Sequence, residues 1–167
     1  MLSKKLLKAL NDQINLELYS WYLYLSMSSW FKDQNLPGMS NWMMMQAKEE
    51  MEHARKIWGY IFDRRQTPVF EQIDKPKLSW KSPIDAFKDA FKHEQAVTKS
   101  IHKLYELAQK EKDHAAVSFI QWFVDEQVEE EATVDEIITR INNYGDFKGG
   151  IFLLDGELAG RTAPATE

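Results

Sequence analysis

The sequence predicts an all-α fold: a four-helix bundle with one long crossover connection between its second and third helices and a short fifth helix at the C-terminus. Three observations carry this expectation. Apolar residues recur at steps of three, four and seven through four long stretches, the period of a helix with one buried face. A seventeen-residue segment containing Pro68 and Pro76 separates those stretches into two pairs. Each stretch also carries a polar residue in the middle of its apolar stripe, at a depth that matches the others.

Helix one is expected over about 3–33, with Ser3 as its N-cap and Asn35, Pro37 and Gly38 punctuating the chain beyond it. Helix two follows over about 38–65. Residues 66–82 mix charged and apolar side chains without helical periodicity and form the long connection. Extended, those residues reach about 56 Å, more than the roughly 43 Å length of a helix of this size, so the segment can traverse the bundle. Helix three, about 83–112, opens on Ser82 as cap, Pro83 at the first helical position and Asp85 three residues after the cap. Asp113 can cap helix four, about 114–143. Gly145, Gly149 and Gly150 are expected to end it, Ile151 to Leu158 to fall in a fifth helix over about 149–159, and residues 161–167 to form a frayed tail.

Composition bounds the function. The 167 residues suit one domain, 1–167, with one core. The chain has no cysteine, which removes disulfides, thiolate metal sites and cysteine nucleophiles, so any metal must use nitrogen or oxygen ligands. The first residues read as a charged helix start, no apolar run approaches the roughly 20 residues that a bilayer requires, and a cytoplasmic protein is expected. A net charge of −5 offers nucleic acid no broad basic surface and suits the attraction of cations.

The polar residues in the stripes are Glu17, Glu50 with His53, Glu94, and Gln127 with Glu130. Helical steps from Glu17 meet Leu10, Ile14, Trp21, Tyr24 and Phe31; steps from Glu50 meet Met43, Ala47, Ala54, Ile57 and Ile61. From Glu94 they meet Phe87, Phe91, Val97, Ile101 and Tyr105, and from Gln127 they meet Ile120, Phe123, Val134 and Ile141. All four point where core residues point. Glu17 to Glu50 and Glu94 to Gln127 are both 33 positions, so two hairpins of one design place their polar residues at one height. The long connection favours helix three running parallel to helix two, although a short antiparallel link would also align the levels.

Glu50 and His53 lie three apart, close enough on one helix to grip a single ion, and Gln127 with Glu130 repeats that spacing opposite. Four carboxylates in a core repel one another and cost several kcal/mol each to desolvate unless protons or cations neutralise them. A pair of divalent ions does so, and oxygen-rich coordination with one imidazole suits iron, manganese or zinc. A lone Glu or His on a stripe is more often a boundary or core residue; four coincident stripes make the metal reading the better one. Tyr24, one heptad after Glu17, is either packing, a hydrogen-bond partner of the site or an electron donor. Trp122 leans towards packing, Glu131 towards a solvated face, and His93, His102 and His114 towards the surface.

With these residues in place, the pattern of Glu17, Lys-Glu-Glu-Met-Glu-His ending at His53, His-Glu ending at Glu94, and Glu-Gln-Val-Glu-Glu over 126–130 resembles a prokaryotic non-haem ferritin across essentially the whole chain. Ferritin-like proteins are themselves a type case of bundles with carboxylate metal sites. Their generic pattern has two Glu-x-x-His pairs; here Gln127 and Glu130 replace the second, which separates the chain from bacterioferritin. Met51 lies where bacterioferritins place a haem-ligating methionine, yet non-haem members carry Met there too, and no haem is expected. The resemblance implies a ferroxidase that stores its product. Glu17, Glu50 and His53 would hold one iron, with Gln127 beside it, and Glu50 would bridge to a second held by Glu94 and Glu130. Glu49, Glu126 and Glu129, with Glu130, would form a third iron site. Tyr24 would supply a further electron, O2 or H2O2 would be the acceptor, and the subunits would form a hollow 24-subunit shell. The apolar fifth helix suits burial in such an assembly. Four other readings stand beside this one. A rubrerythrin-like protein is weakened by the absence of cysteine, and a DNA-protecting miniature ferritin normally places its site between subunits. A bacterioferritin-like detoxifier and a zinc or manganese bundle without turnover complete the set.

Overall fold

The computed structural model describes residues 1–144 and 147–162, and its five helices are α1 (Lys4–Asp33), α2 (Pro37–Asp63), α3 (Pro83–Lys110), α4 (His114–Tyr144) and α5 (Lys148–Leu158). No strand occurs among the described residues. Side chains set three of the helix starts by accepting an otherwise orphaned N–H. Ser3 Oγ accepts from Leu6 at 3.1 Å, Ser82 Oγ from Asp85 at 3.3 Å, and Asp113 Oδ1 from Ala116 at 3.1 Å. The start of α2 has no such residue of its own, because Leu36 stands at its cap. Asp155 of α5 supplies the missing acceptor, taking the Met39 N–H on Oδ1 at 2.7 Å.

Three helices end in the same way without a glycine. Asn35, Arg65 and Lys112 adopt φ of 58°, 60° and 57°. At each, the next residue's N–H reaches back to a carbonyl five positions earlier: Leu36 to Phe31, Gln66 to Ile61, and Asp113 to Ala108. These are the paired hydrogen bonds that close a helix through one left-handed residue. Gly149 and Gly150, expected to end α4, lie inside α5, while Gly145 falls outside the described residues.

Cross-helix hydrogen bonds fix the topology. Leu2 meets Gln66 at one end of the α1–α2 pair and Ser28 meets Ser40 at the other, so those helices are antiparallel. Ser3 bonds to Glu111, Gln13 to Ser100 and Ser20 to His93, so α1 and α3 are antiparallel as well. It follows that α2 and α3 run parallel and the connection must traverse the bundle. It does so along α1: Asn11 Oδ1 accepts the Val69 N–H, Asn15 donates to the Gln72 carbonyl and Ser26 donates to the Lys77 carbonyl at 2.6 Å. Trp80 is buried at its end and donates to Asp89 at 2.8 Å.

The apolar core is in two parts. One cluster gathers Met27, Phe31, Trp42, Met43, Phe87 and Val134 towards α5; the other gathers Leu6, Leu10, Ile57, Ile61, Ile101 and Ile120 towards the opposite end. Between them lies a layer of buried polar side chains. The docking of α5 against the start of α2 is tight enough that a Cβ on Gly38 would sit 1.7 Å from the Asp155 carbonyl oxygen, so only glycine fits there. Phe152 and Leu153 of α5 point away from this contact and stay exposed. No described helix is long and apolar enough to cross a membrane.

Candidate metal centre

The polar layer holds every residue that the stripes single out. Glu17, Glu50, His53, Glu94, Gln127 and Glu130 are all buried, and Tyr24 is fully so. Each sits near the middle of its helix, with apolar turns above and below that keep water out. Ligand atoms of Glu17, Glu50 and His53 lie within 4.8 Å of one another, and so do those of Glu50, Glu94 and Glu130. Glu50 belongs to both groups. The arrangement can hold two cations side by side across a shared carboxylate.

Burial dominates the electrostatics. Glu17, Glu50 and Glu130 are held well above the usual carboxylate range, and Glu94 above it, first by desolvation. Neighbouring carboxylates add to this: Glu50 acts on Glu17, Glu94 on Glu50, and Glu50 on Glu130. Without cations the layer therefore tends to hold protons. Burial likewise raises the Tyr24 phenol, followed by the charge of Glu94, which accepts its O–H. Two oxygens of the layer have no such solution: Glu17 Oε2 and Gln46 Oε1 are shut off from solvent and have no hydrogen-bond partner among the described residues. A buried carboxylate oxygen without a donor is costly unless it binds a cation, and that of Glu17 belongs to the first ligand group.

The residues that orient the carboxylates are absent from the sequence reading. Gln13 donates to Glu17 Oε1 at 2.8 Å and is itself fixed by Ser100, whose hydroxyl donates to Gln13 Oε1 at 2.6 Å. Gln46 donates to Glu130 Oε2 at 2.5 Å and to Glu50 Oε1 at 3.4 Å, tying the shared carboxylate to α4. A signal for both exists, since Gln13 precedes Glu17 and Gln46 precedes Glu50 by one helical turn, the spacing at which side chains meet. Gln127 enters as a donor to Glu94 Oε2 at 3.2 Å and to Thr98. Thr98 passes its own hydroxyl hydrogen to Glu131 at 2.6 Å, so Glu131 is tied to α3 rather than merely solvated.

Outside the two groups, His53, Glu126 and Glu130 also bring ligand atoms within 4.8 Å of one another. Of the outer residues, Glu126 is half-buried and joins this third group. Glu49 is paired with Arg161 instead, and Glu129 is exposed. Trp122 packs its ring edge-on to His53 with centroids 5.5 Å apart, and Lys56 Nζ lies over the Trp122 ring, 4.1 Å from its centroid. His102 and His114 are exposed, but His93 is not: it is half-buried, shares a 2.7 Å hydrogen bond with Ser20, and burial lowers its pKa to about 4.

Residues 7–143 match the family model described as a ferritin-like domain. The chain belongs to the ferritin family. It is 44% identical over 162 residues to a bacterial non-heme ferritin of Staphylococcus haemolyticus, covering 97% of this chain and 98% of that one. Against the bacterial non-heme ferritin of Staphylococcus saprophyticus it is 41% identical over the full length of both. Among solved structures it is similar to an open-pore ferritin from the hyperthermophilic archaeon Archaeoglobus fulgidus, with a TM-score of 0.96, 44% identity and coverage of 97% of this chain and 100% of that chain. The all-α architecture with its crossover and fifth helix is thus the ferritin fold, and the two sharing ligand groups lie within a single chain of it.

Proposed function

We propose that this protein is an iron-storage ferroxidase. It takes Fe(II) as substrate at the two-ion position inside each subunit, oxidises it with O2 or H2O2, and deposits ferric mineral within a hollow homo-oligomeric shell of 24 subunits in the cytoplasm. The single observation that carries the reading is Glu50 serving two ligand groups in a layer closed to water.

In this reading Glu17, Glu50 and His53 bind the first Fe(II), and Glu50, Glu94 and Glu130 the second. Gln127 steadies Glu94. The charges match at the ferrous stage: four carboxylates balance two divalent ions once protons leave, and the proton affinity of the buried acids makes loading depend on that release. Two ferrous ions supply the two electrons that take O2 with two protons to H2O2, or H2O2 with two protons to two waters. The ions are then trivalent and the same carboxylates no longer balance them. Oxygen ligands from water or the reduced oxidant make up the difference, which favours departure of an oxygen-bridged ferric product towards the interior. Tyr24, hydrogen-bonded to Glu94, is placed to donate a further electron. Glu49, Glu126 and Glu129, with Glu130, form an outer third iron position. No haem takes part. The exposed apolar side chains of α5, Phe152 and Leu153, become buried between subunits.

Aerobic addition of Fe(II) to the metal-free protein tests this. Ferric absorbance is expected to rise much faster than in a protein-free control, and the product to remain with a particle that elutes far ahead of a monomer. A rate equal to the control would overturn the enzymatic reading, and elution as a monomer or dimer would overturn the shell.

A further inference from the structure

The chain's C-terminal segment returns to the edge of the metal layer through one residue. Arg161, three positions beyond the end of α5, lies over the Trp42 ring with its guanidinium carbon 4.3 Å from the centroid, and its Nη2 stands 2.5 Å from Glu49 Oε2. Asn41 Nδ2 clamps the backbone behind it, donating to the Arg161 carbonyl at 2.9 Å and to that of Ala159 at 3.3 Å. Three contacts from one face of α2 thus hold this arginine in place: a stacked ring, an ion pair and a backbone hydrogen bond. The two charged side chains are only 19% and 14% exposed, so little water screens them. Among the described residues the Arg161 guanidinium faces one carboxylate, that of Glu49, and its Nη1 has no partner.

The pairing alters the outer cation position. Glu126 and Glu130 come within 4.8 Å of His53, but Glu49, on the same face of α2, has its oxygen turned to the arginine and is missing from that group. We propose that Arg161 is a tethered counter-ion occupying Glu49 in place of a third cation, so that a metal ion completes the outer position only by displacing the guanidinium. This rests on the outer position assigned above. A carboxylate oxygen bonded to an arginine N–H at 2.5 Å does not offer the same lone pair to a metal. Because the arginine hangs on a link of two residues from α5, it competes at a high effective concentration that dilution does not lower. The outer position's apparent affinity is therefore reduced by the fraction of subunits in which the pair is open. Neither inner ligand group includes Glu49, so this reduction falls on the outer position and separates its filling from that of the inner pair.

Crystals of the assembled protein, soaked in graded Zn(II) and measured by anomalous diffraction, read each position's occupancy separately and need no turnover. Arg161→Gln is expected to half-fill the outer position at about tenfold lower Zn(II) or less, with the inner positions shifting far less. Arg161→Lys, which keeps a cation on the tether, is expected to stay near wild type, and Arg161→Gln is expected to have no effect in a Glu49→Gln background. An outer ion whose occupancy curve is the same with and without Arg161 overturns the proposal alone. An outer position that stays empty in every protein at saturating Zn(II) overturns the outer site and the proposal together. Loss of α5 density in Arg161→Gln with an unshifted Arg161→Lys curve and an unshifted outer occupancy would assign the arginine to docking and likewise overturn it.

Discussion

Gln13 donates its amide N–H to Glu17 Oε1 at 2.8 Å, leaving Oε2 as the bare oxygen of the pair. Ser100 fixes the amide from α3, so the direction of Glu17 is set by a chain of two hydrogen bonds that ends on another helix. Gln13→Leu keeps the volume roughly constant and removes the donor. The affinity of the metal-free protein for the first Zn(II) is expected to fall about 10- to 100-fold, with helix content unchanged. Calorimetric titration of the two proteins checks it, and equal affinities would show that Glu17 needs no orienting partner.

His93 makes stability depend on pH in a definite direction. Its pKa is about 4 in the folded chain against 6.5 when unfolded, so between those values the unfolded chain binds more protons and stability rises with pH. The contribution is whole above 6.5 and is lost as pH falls towards 4. His93→Gln can keep the contact with Ser20 and cannot titrate, so the variant is expected to lose about 2 kcal/mol less than wild type on going from pH 7.5 to 4.5. The buried carboxyls carry the opposite sign, since protons stabilise them in the fold, and they act similarly in both proteins. Urea unfolding of the metal-free proteins at the two pH values gives the difference directly. Parallel pH profiles would contradict the assignment.

Gly38 and Asp155 make α5 part of the subunit. Gly38→Ala drives a methyl group into the Asp155 carbonyl, and separation of the two helices also removes the acceptor from the Met39 N–H. More than about 2 kcal/mol of stability is expected to be lost. Amide exchange in α5 is expected to accelerate while that of the middle of α1 and α4 stays slow. Protection unchanged across α5 would mean that its docking rests elsewhere.

Lys112 holds a left-handed conformation that costs a residue with a Cβ roughly 1 kcal/mol. Lys112→Gly relieves it, and part of the gain is returned through the freer unfolded chain. A net stabilisation of about 0.5 kcal/mol is expected, measured as a higher urea midpoint. A lower midpoint would show that the lysine side chain contributes more than its backbone costs.

The fold was legible because long helices report their buried face by spacing, and the six ligand candidates lie on those faces. Their coincidence in one layer followed from Glu17 to Glu50 and Glu94 to Gln127 having equal separations. Neighbours brought together by tertiary packing were harder to see. Asn11, Asn15 and Ser26 anchor the crossover, but nothing local says that the strap lies on α1. Asp155 caps a helix 116 positions away, and Glu49 meets Arg161 at a separation of 112. His93 is expected at the surface because no acidic partner stands at a convincing spacing from it, yet α1 covers that side with Ser20 and Tyr19. Gln13 and Gln46 stand one turn before their carboxylates, but spacing alone does not show that their amides turn onto those oxygens.

The proposed ferroxidase chemistry requires Glu50 to join two iron positions. Stopped-flow mixing of Fe(II) with metal-free protein in aerated buffer, at increasing iron per subunit, should give a fast oxidation phase whose amplitude grows until about two Fe(II) per subunit and then levels off. In Glu50→Ala that phase should vanish while the circular dichroism of the helices is retained. An amplitude that levels off at one iron, or a variant that oxidises iron at the wild-type initial rate, would contradict the shared site.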